Sequence, residues 1–252
     1  MSLLGRAIAI TGIVSGLLAI GLPFASGSRY VDDGTTLAFL LVLLSFASWL
    51  PAEIGRDALG AAGGAATFGF FLFVPALASF DHLGDLGAGA WLGLCTALIP
   101  IGAFVSWAGR RGSGEPAPAR RFARPLGLPL AFAGLVLAVV GIWLDAASEA
   151  GSYWNLSSSG HAVGILMLLL VVLNAGLLAA PTFAPSANVG NLDLLVAAAT
   201  FGFVEVGVIS TAFGNFGSLG AGGWLEGCAG ALLLIGVVKL RGAAAPAAAS
   251  AQ

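Results

Sequence analysis

"LGAGAWLGLC" occupies residues 86–95, and "LGAGGWLEGC" occupies residues 219–228, 133 positions further on. Extended without gaps to 65–95 against 198–228, the alignment holds 15 identities in 31 positions and opens on "AATFGF" at 65–70 and again at 198–203. Self-similarity of this length marks a duplication, and a duplication decides the architecture before any motif does. A fainter echo lies upstream: "GSRY" at 27–30 resembles "GSYW" at 151–154, each just beyond the first apolar run of its half.

Composition sets the class. Of 252 residues, 58% are hydrophobic and 9% charged, whereas roughly a quarter of a soluble domain is charged. Eight segments, near 7–24, 35–51, 60–80, 87–108, 127–144, 160–180, 193–213 and 219–239, approach the ~20 apolar residues that a helix needs to cross a bilayer core. The expectation is an all-α, polytopic membrane protein with eight transmembrane helices. Four spans per copy is an even number, so both copies start and finish on the same side. That makes two parallel four-helix repeats, related by an axis along the membrane normal. The domains expected are a first repeat over 1–108, a basic linker over 109–126, a second repeat over 127–241 and a disordered tail over 242–252.

Charge orients the chain. Arg6, Arg56, the linker arginines Arg110, Arg111, Arg120, Arg121 and Arg124, and Lys239 with Arg241 fall on one side of this topology, and only Arg29 falls on the other. The positive-inside rule then places both termini and the linker in the cytoplasm, as in a multi-pass protein of a bacterial cytoplasmic membrane. All six tryptophans, Trp49, Trp91, Trp107, Trp143, Trp154 and Trp224, sit at or just beyond an expected helix end, which is the aromatic belt of a membrane protein. Arg6, the apolar run after it and "ASG" at 25–27 have the form of a secretory signal; a counterpart in the second half makes this run the first membrane helix. The five linker arginines also offer a surface to anionic lipid. The partners expected are the bilayer itself and either further copies of the chain or the other subunits of a complex, with no nucleic acid.

Two carboxylates fall inside spans, Glu205 and Glu226, and charge at that depth has a cost that function usually justifies. At 1.5 Å per residue they stand roughly 12 and 10 Å from the outer ends of consecutive helices. Glu205 aligns with Leu72 and Glu226 with Gly93, so the copies match in packing and differ in charge. With Asn174, the other strongly polar residue deep in a span, they form the expected proton or cation site, against which stands a purely structural, hydrogen-bonded role. Thr67 and Thr200 can bond their own helix backbones. Asp81, His82 and Asp85 of "DHLGD" make a weak outer-loop acidic or metal candidate, and His161 is an interfacial histidine. Cys95 and Cys228 lie in apolar runs and form neither a disulfide framework nor a zinc site. No metal or other cofactor is expected. Nor is an enzyme, because phosphate loops, dinucleotide fingerprints, nucleophile elbows and zincin helices are all missing.

Two short stretches resemble the acetate uptake transporters, also called succinate/acetate permeases. "RPLGL" at 124–128 stands where that family opens a helix on Asn-Pro-Ala-Pro-Leu-Gly-Leu. In "GNLDLLVAAATFGF", Gly190 and Asn191 precede Phe201 and Gly202 at the family's twelve-residue interval. The resemblance implies passage of small monocarboxylates through an oligomer of pore-containing subunits. Arg124, the missing Asn-Pro, Phe201 in place of a frequent Tyr, and eight spans against six depart from it. The residues themselves leave two readings: a small-solute or proton-linked transporter or channel using the second repeat, or a non-catalytic accessory subunit that docks partners through its helices and outer loops.

Overall fold

A computed structural model describes residues 3–25, 28–29, 57–77, 84–112, 126–145, 152–154, 158–183, 192–215 and 219–241. The helices are α1 (Leu3–Gly21), α2 (Asp57–Leu77), α3 (Ala88–Leu94), α4 (Leu98–Gly112), α5 (Gly127–Trp143), α6 (Ser158–Phe183), α7 (Leu192–Asn215) and α8 (Ala221–Arg241). A 3-10 turn at Cys95–Ala97 joins α3 to α4. Beyond helices the described residues hold a small antiparallel pair, β1 (Pro23–Ala25) with β2 (Ser28–Arg29). It shortens the first expected helix, which stops at Gly21 rather than near 24. The segment expected near 35–51 lies outside the described residues.

Among the described residues, four stretches are long and apolar enough to cross a membrane: Leu3–Gly21, Ala88–Ser106, Gly160–Ala180 and Ala221–Leu240. The outside of the bundle agrees. Ile10, Val14, Phe132, Val136, Val139, Leu169, Val172 and Leu173 are all exposed, in numbers that water would not tolerate on a folded surface and lipid would. The chain is an integral membrane protein.

Inside, small residues bring helices into contact at backbone distance, as expected where lipid offers little hydrophobic drive between helices. The most extensive pairing is α5 with α8. Along it Gly127 meets Leu240, Gly134 meets Leu233 and Gly141 meets Glu226. The steps are seven residues on each helix and run in opposite senses, so this is an antiparallel seam of heptad rungs. On α8 the small residues Ala229 and Gly236 are buried between the rungs, and Gly222 is buried one turn before the rung at Glu226.

The α1–α4 contact repeats this pattern. Gly102 lies against Gly5 and Ala9 as Gly236 lies against Gly127 and Ala131, and Gly12 meets Ile99 as Gly134 meets Leu233. One irregularity has a geometric cause. Gly89, Thr96 and Gly102 stand seven and six apart where Gly222, Ala229 and Gly236 stand seven and seven apart. The 3-10 turn absorbs the missing residue: three residues rising about 2.0 Å each advance as far as four rising about 1.5 Å. Buried Thr96 donates its hydroxyl to the Gly93 carbonyl within this turn.

Helices α2 and α7 form the other close seam. A methyl group at Gly69 would fall on the carbonyl oxygen of Ala199, and one at Gly202 would fall on that of Ala66. The two contacts are reciprocal, because 66 and 69 align with 199 and 202.

Candidate functional site

The site begins as a defect in the α5–α8 seam. Two rungs place a leucine, Leu240 or Leu233, on a glycine of α5; the third places Glu226 on Gly141, its Cγ 2.7 Å from where a Cβ on that glycine would stand. Only glycine leaves room there. In the first half the equivalent residues are Ala19 and Gly93, and the ring of fully buried Phe71 fills the space over Gly93, 2.5 Å from a Cβ placed on it. The second half has the smaller Val204 in the place of Phe71. Three positions therefore change together: alanine, glycine and phenylalanine become glycine, glutamate and valine.

The carboxyl that results is sealed. Glu226 is 2% exposed. Its Oε2 accepts a hydrogen bond from the Tyr153 hydroxyl at 3.0 Å, while Oε1 is buried with no hydrogen-bond partner among the described residues. Tyr153 comes from the short turn 152–154 between α5 and α6. Neighbours hold that turn down. His161 Nε2, on α6, donates to the Trp154 carbonyl at 2.9 Å, and the Trp154 ring lies between those of Trp143 and His161, at 5.3 and 6.1 Å. Tyr153 Cβ stands 3.4 Å, and the Trp154 ring 3.6 Å, from where a Cβ on Gly164 would stand. The Gly222 amide donates to the Asp145 carbonyl at 2.8 Å, fastening the start of α8 to the end of α5 beside the site. Burial first, and then the adjacent Glu226 carboxyl, raise the Tyr153 phenol far above the ordinary tyrosine range. It therefore stays protonated and remains a donor.

The other expected site residues lie elsewhere. Glu205 is half-buried against α8 with Oε1 3.8 Å from where a Cβ on Gly230 would stand. Gly230 is four residues, roughly 6 Å, along the helix from Glu226. No hydrogen bond joins the two carboxyls among the described residues: Oε2 of Glu226 takes Tyr153 and Oε1 takes nothing. Buried Asn174 ties α6 to α7, its amide donating to the Leu170 carbonyl at 2.8 Å and to Thr200 Oγ1 at 2.7 Å. Thr200 and Thr67 each donate to a carbonyl of their own helix, Val196 and Gly63, both at 2.8 Å. Asp85 is exposed, and Asp81 and His82 lie outside the described residues. No group of three or more metal-ligating side chains occurs among the described residues. Arg110 and Arg111 end α4; Arg120, Arg121 and Arg124 lie outside the described residues.

Sequence reasoning missed Tyr153 and Gly141. Tyr153 aligns with Arg29 and has no signature of its own. Gly141 was detectable, since "GLPLAFAGLVLAVVG" at 127–141 sets a glycine at every seventh position. Asp193 was missed as well; it is buried in the first turn of α7, where a carboxylate suits the positive end of the helix. No protein-family model, no curated protein and no solved structure matches this chain.

Proposed function

We propose that this chain is a small-solute or proton-linked transporter or channel that works through its second half. One observation carries the reading: a buried carboxyl, Glu226, replaces a packing contact that the first half completes with apolar atoms. A carboxyl at bilayer depth costs a few kcal/mol to insert, and nothing in the seam needs it. The proposal includes eight spans in two parallel four-helix repeats. The 15 identities, the reciprocal Gly69 and Gly202 contacts and the matching α1–α4 and α5–α8 seams support that organisation. It also includes anionic lipid at the linker arginines and assembly into a homo-oligomer.

The accessory-subunit reading has an observation in its favour. Backbone contact closes the α2–α7 seam at Gly69 and Gly202, which leaves no space there for an aqueous path. Flux separates the two readings. Purified protein in liposomes is assayed for proton movement and for uptake of small solutes, including the monocarboxylates that the acetate-transporter resemblance implies. The transport reading expects flux above empty liposomes that falls by an order of magnitude or more in Glu226→Gln. Flux equal to empty liposomes, with another protein copurifying from native membrane in near-stoichiometric amount, favours the accessory role instead.

A further inference from the structure

We infer that Glu226 is a proton-binding site, that Tyr153 is its positioning residue, and that Gly141 and Val204 belong to the site because they make the room it occupies. The inference rests on the transport reading and names the ligand of that same carboxyl. The first half supplies the reference, since the same rung there is closed by Ala19, Gly93 and Phe71 with no polar atom needed. The three positions change in a compensating way, two toward smaller side chains and one toward a carboxyl: Gly141 lies directly against Glu226, and Val204 aligns with Phe71, the ring that covers Gly93 in the first half.

The chemistry of the pocket selects the ligand. An ionised carboxyl with a single donor in an apolar seam is far from compensated, and Oε1 has no partner among the described residues. Something must neutralise it. A hard cation such as calcium or magnesium asks for about six or more oxygen ligands, and the described surroundings supply few. From α5 there is Gly141, with Asp145 exposed at the end of that element; from the turn, Tyr153. On α6, His161 holds Trp154; on α7, Glu205 Oε1 lies 3.8 Å from where a Cβ on Gly230 would stand, one turn along α8 from Glu226; on α8 itself the next charge, Lys239, is thirteen residues away. Of these only Tyr153 reaches the carboxyl, and it donates. A proton fits where an ion with a coordination shell does not. On binding, an O–H bond of hydronium breaks and an O–H bond forms at Oε1, while Oε2 keeps the Tyr153 hydrogen bond. Entry is from the side of the 152–154 turn, because Glu226 is only six positions into α8 from that end.

Infrared difference spectroscopy of the full chain in vesicles, taken between alkaline and acidic buffer, tests this without reference to flux. The expected result is a carboxylic-acid carbonyl band that rises on acidification, vanishes in Glu226→Gln, moves to higher frequency in Tyr153→Phe and survives in Glu205→Gln. A spectrum identical in wild type and Glu226→Gln overturns the site, and so does a band removed by Glu205→Gln. Loss of the band on adding sodium at constant pH overturns the proton in favour of an alkali cation. A second variant, Gly141→Ala with Val204→Phe and Glu226→Gly, gives this rung the residues of the first half. It is expected to unfold at no lower temperature than Glu226→Gln and to lack the band, whereas lower stability overturns the role given to Gly141 and Val204. The band with no flux would remove the transport reading and leave the site standing; flux with no band would do the reverse.

Discussion

The hydroxyl of Thr200 serves two helices, donating to its own backbone at Val196 and accepting from Asn174 on α6. Its counterpart Thr67 bonds its own helix at Gly63. The two ends of the Asn174–Thr200 bond are therefore not worth the same. Asn174→Leu removes the donor and leaves Thr200 satisfied by Val196, so it is expected to cost about 0.6 kcal/mol, the average for a hydrogen bond between membrane helices. Thr200→Val strips an acceptor from a buried amide and is expected to cost more, about 1–3 kcal/mol. Unfolding of both variants in mixed micelles by a denaturing detergent gives the two values, and equal losses would show that the bond has no such asymmetry. The sequence marks Asn174 as polar and deep, but its partner is 26 residues away on another helix, and nothing in local pattern points to it. Glu226 is similar. Its charge stands out in "LGAGGWLEGC", whereas Tyr153, 73 residues earlier, could be found only once α5, α8 and the turn were folded together.

At the scale of elements, the decapeptide repeat announces that α3 and α8 begin alike, and their tryptophans agree, Trp91 and Trp224 each being 50% exposed. The seams were harder to read. Equivalent residues are offset by 122 positions in α1 and α5, by 133 through α2 and α7, and by 134 after the 3-10 turn. An ungapped alignment loses the first and last of these. A helix broken by three 3-10 residues keeps the composition of a helix, so hydropathy cannot reveal the break. With 38 glycines in the chain, spacing alone also cannot tell a contact from a coincidence. The structure can: Gly69 and Gly202 sit on backbone carbonyls, while Gly176 has nothing within 4 Å of a Cβ built on it. Gly69→Ala and Gly202→Ala are each expected to destabilise by about 1–3 kcal/mol or more through overpacking, because the atom struck is backbone and cannot rotate away. Gly176→Ala is expected to be neutral or stabilising by up to about 1 kcal/mol, the gain in helix propensity. Thermal unfolding in detergent ranks the three. A Gly69→Ala protein as stable as Gly176→Ala would mean that α2 and α7 do not approach as closely as described.

For the whole molecule, the exposed apolar surface requires lipid, but it does not say which end of each helix faces which side. Charge does. Arg6 is exposed near the start of α1, Arg110 and Arg111 end α4, and Lys239 and Arg241 end α8. In the α1–α4 and α5–α8 seams the chain runs antiparallel, so the start of α1 lies with the end of α4, and the start of α5 with the end of α8. Each seam thus gathers its basic residues at one end, and the turn at 152–154 stands at the other end of the second seam, beside Glu226. The positive-inside rule turns this into a sidedness. Fusions of green fluorescent protein, which fluoresces in the cytoplasm, and of alkaline phosphatase, which is active outside it, are expected to give fluorescence and no phosphatase activity when joined within 113–125 or after 252. Joined after Trp154, they are expected to give the opposite. The result bears directly on the proposed site, because it fixes the face from which a proton would reach Glu226. Phosphatase activity at the chain end together with fluorescence at 113–125 would require an odd number of spans after the linker. The two halves would then be inverted, and the shared seam geometry would no longer follow from two copies inserted the same way.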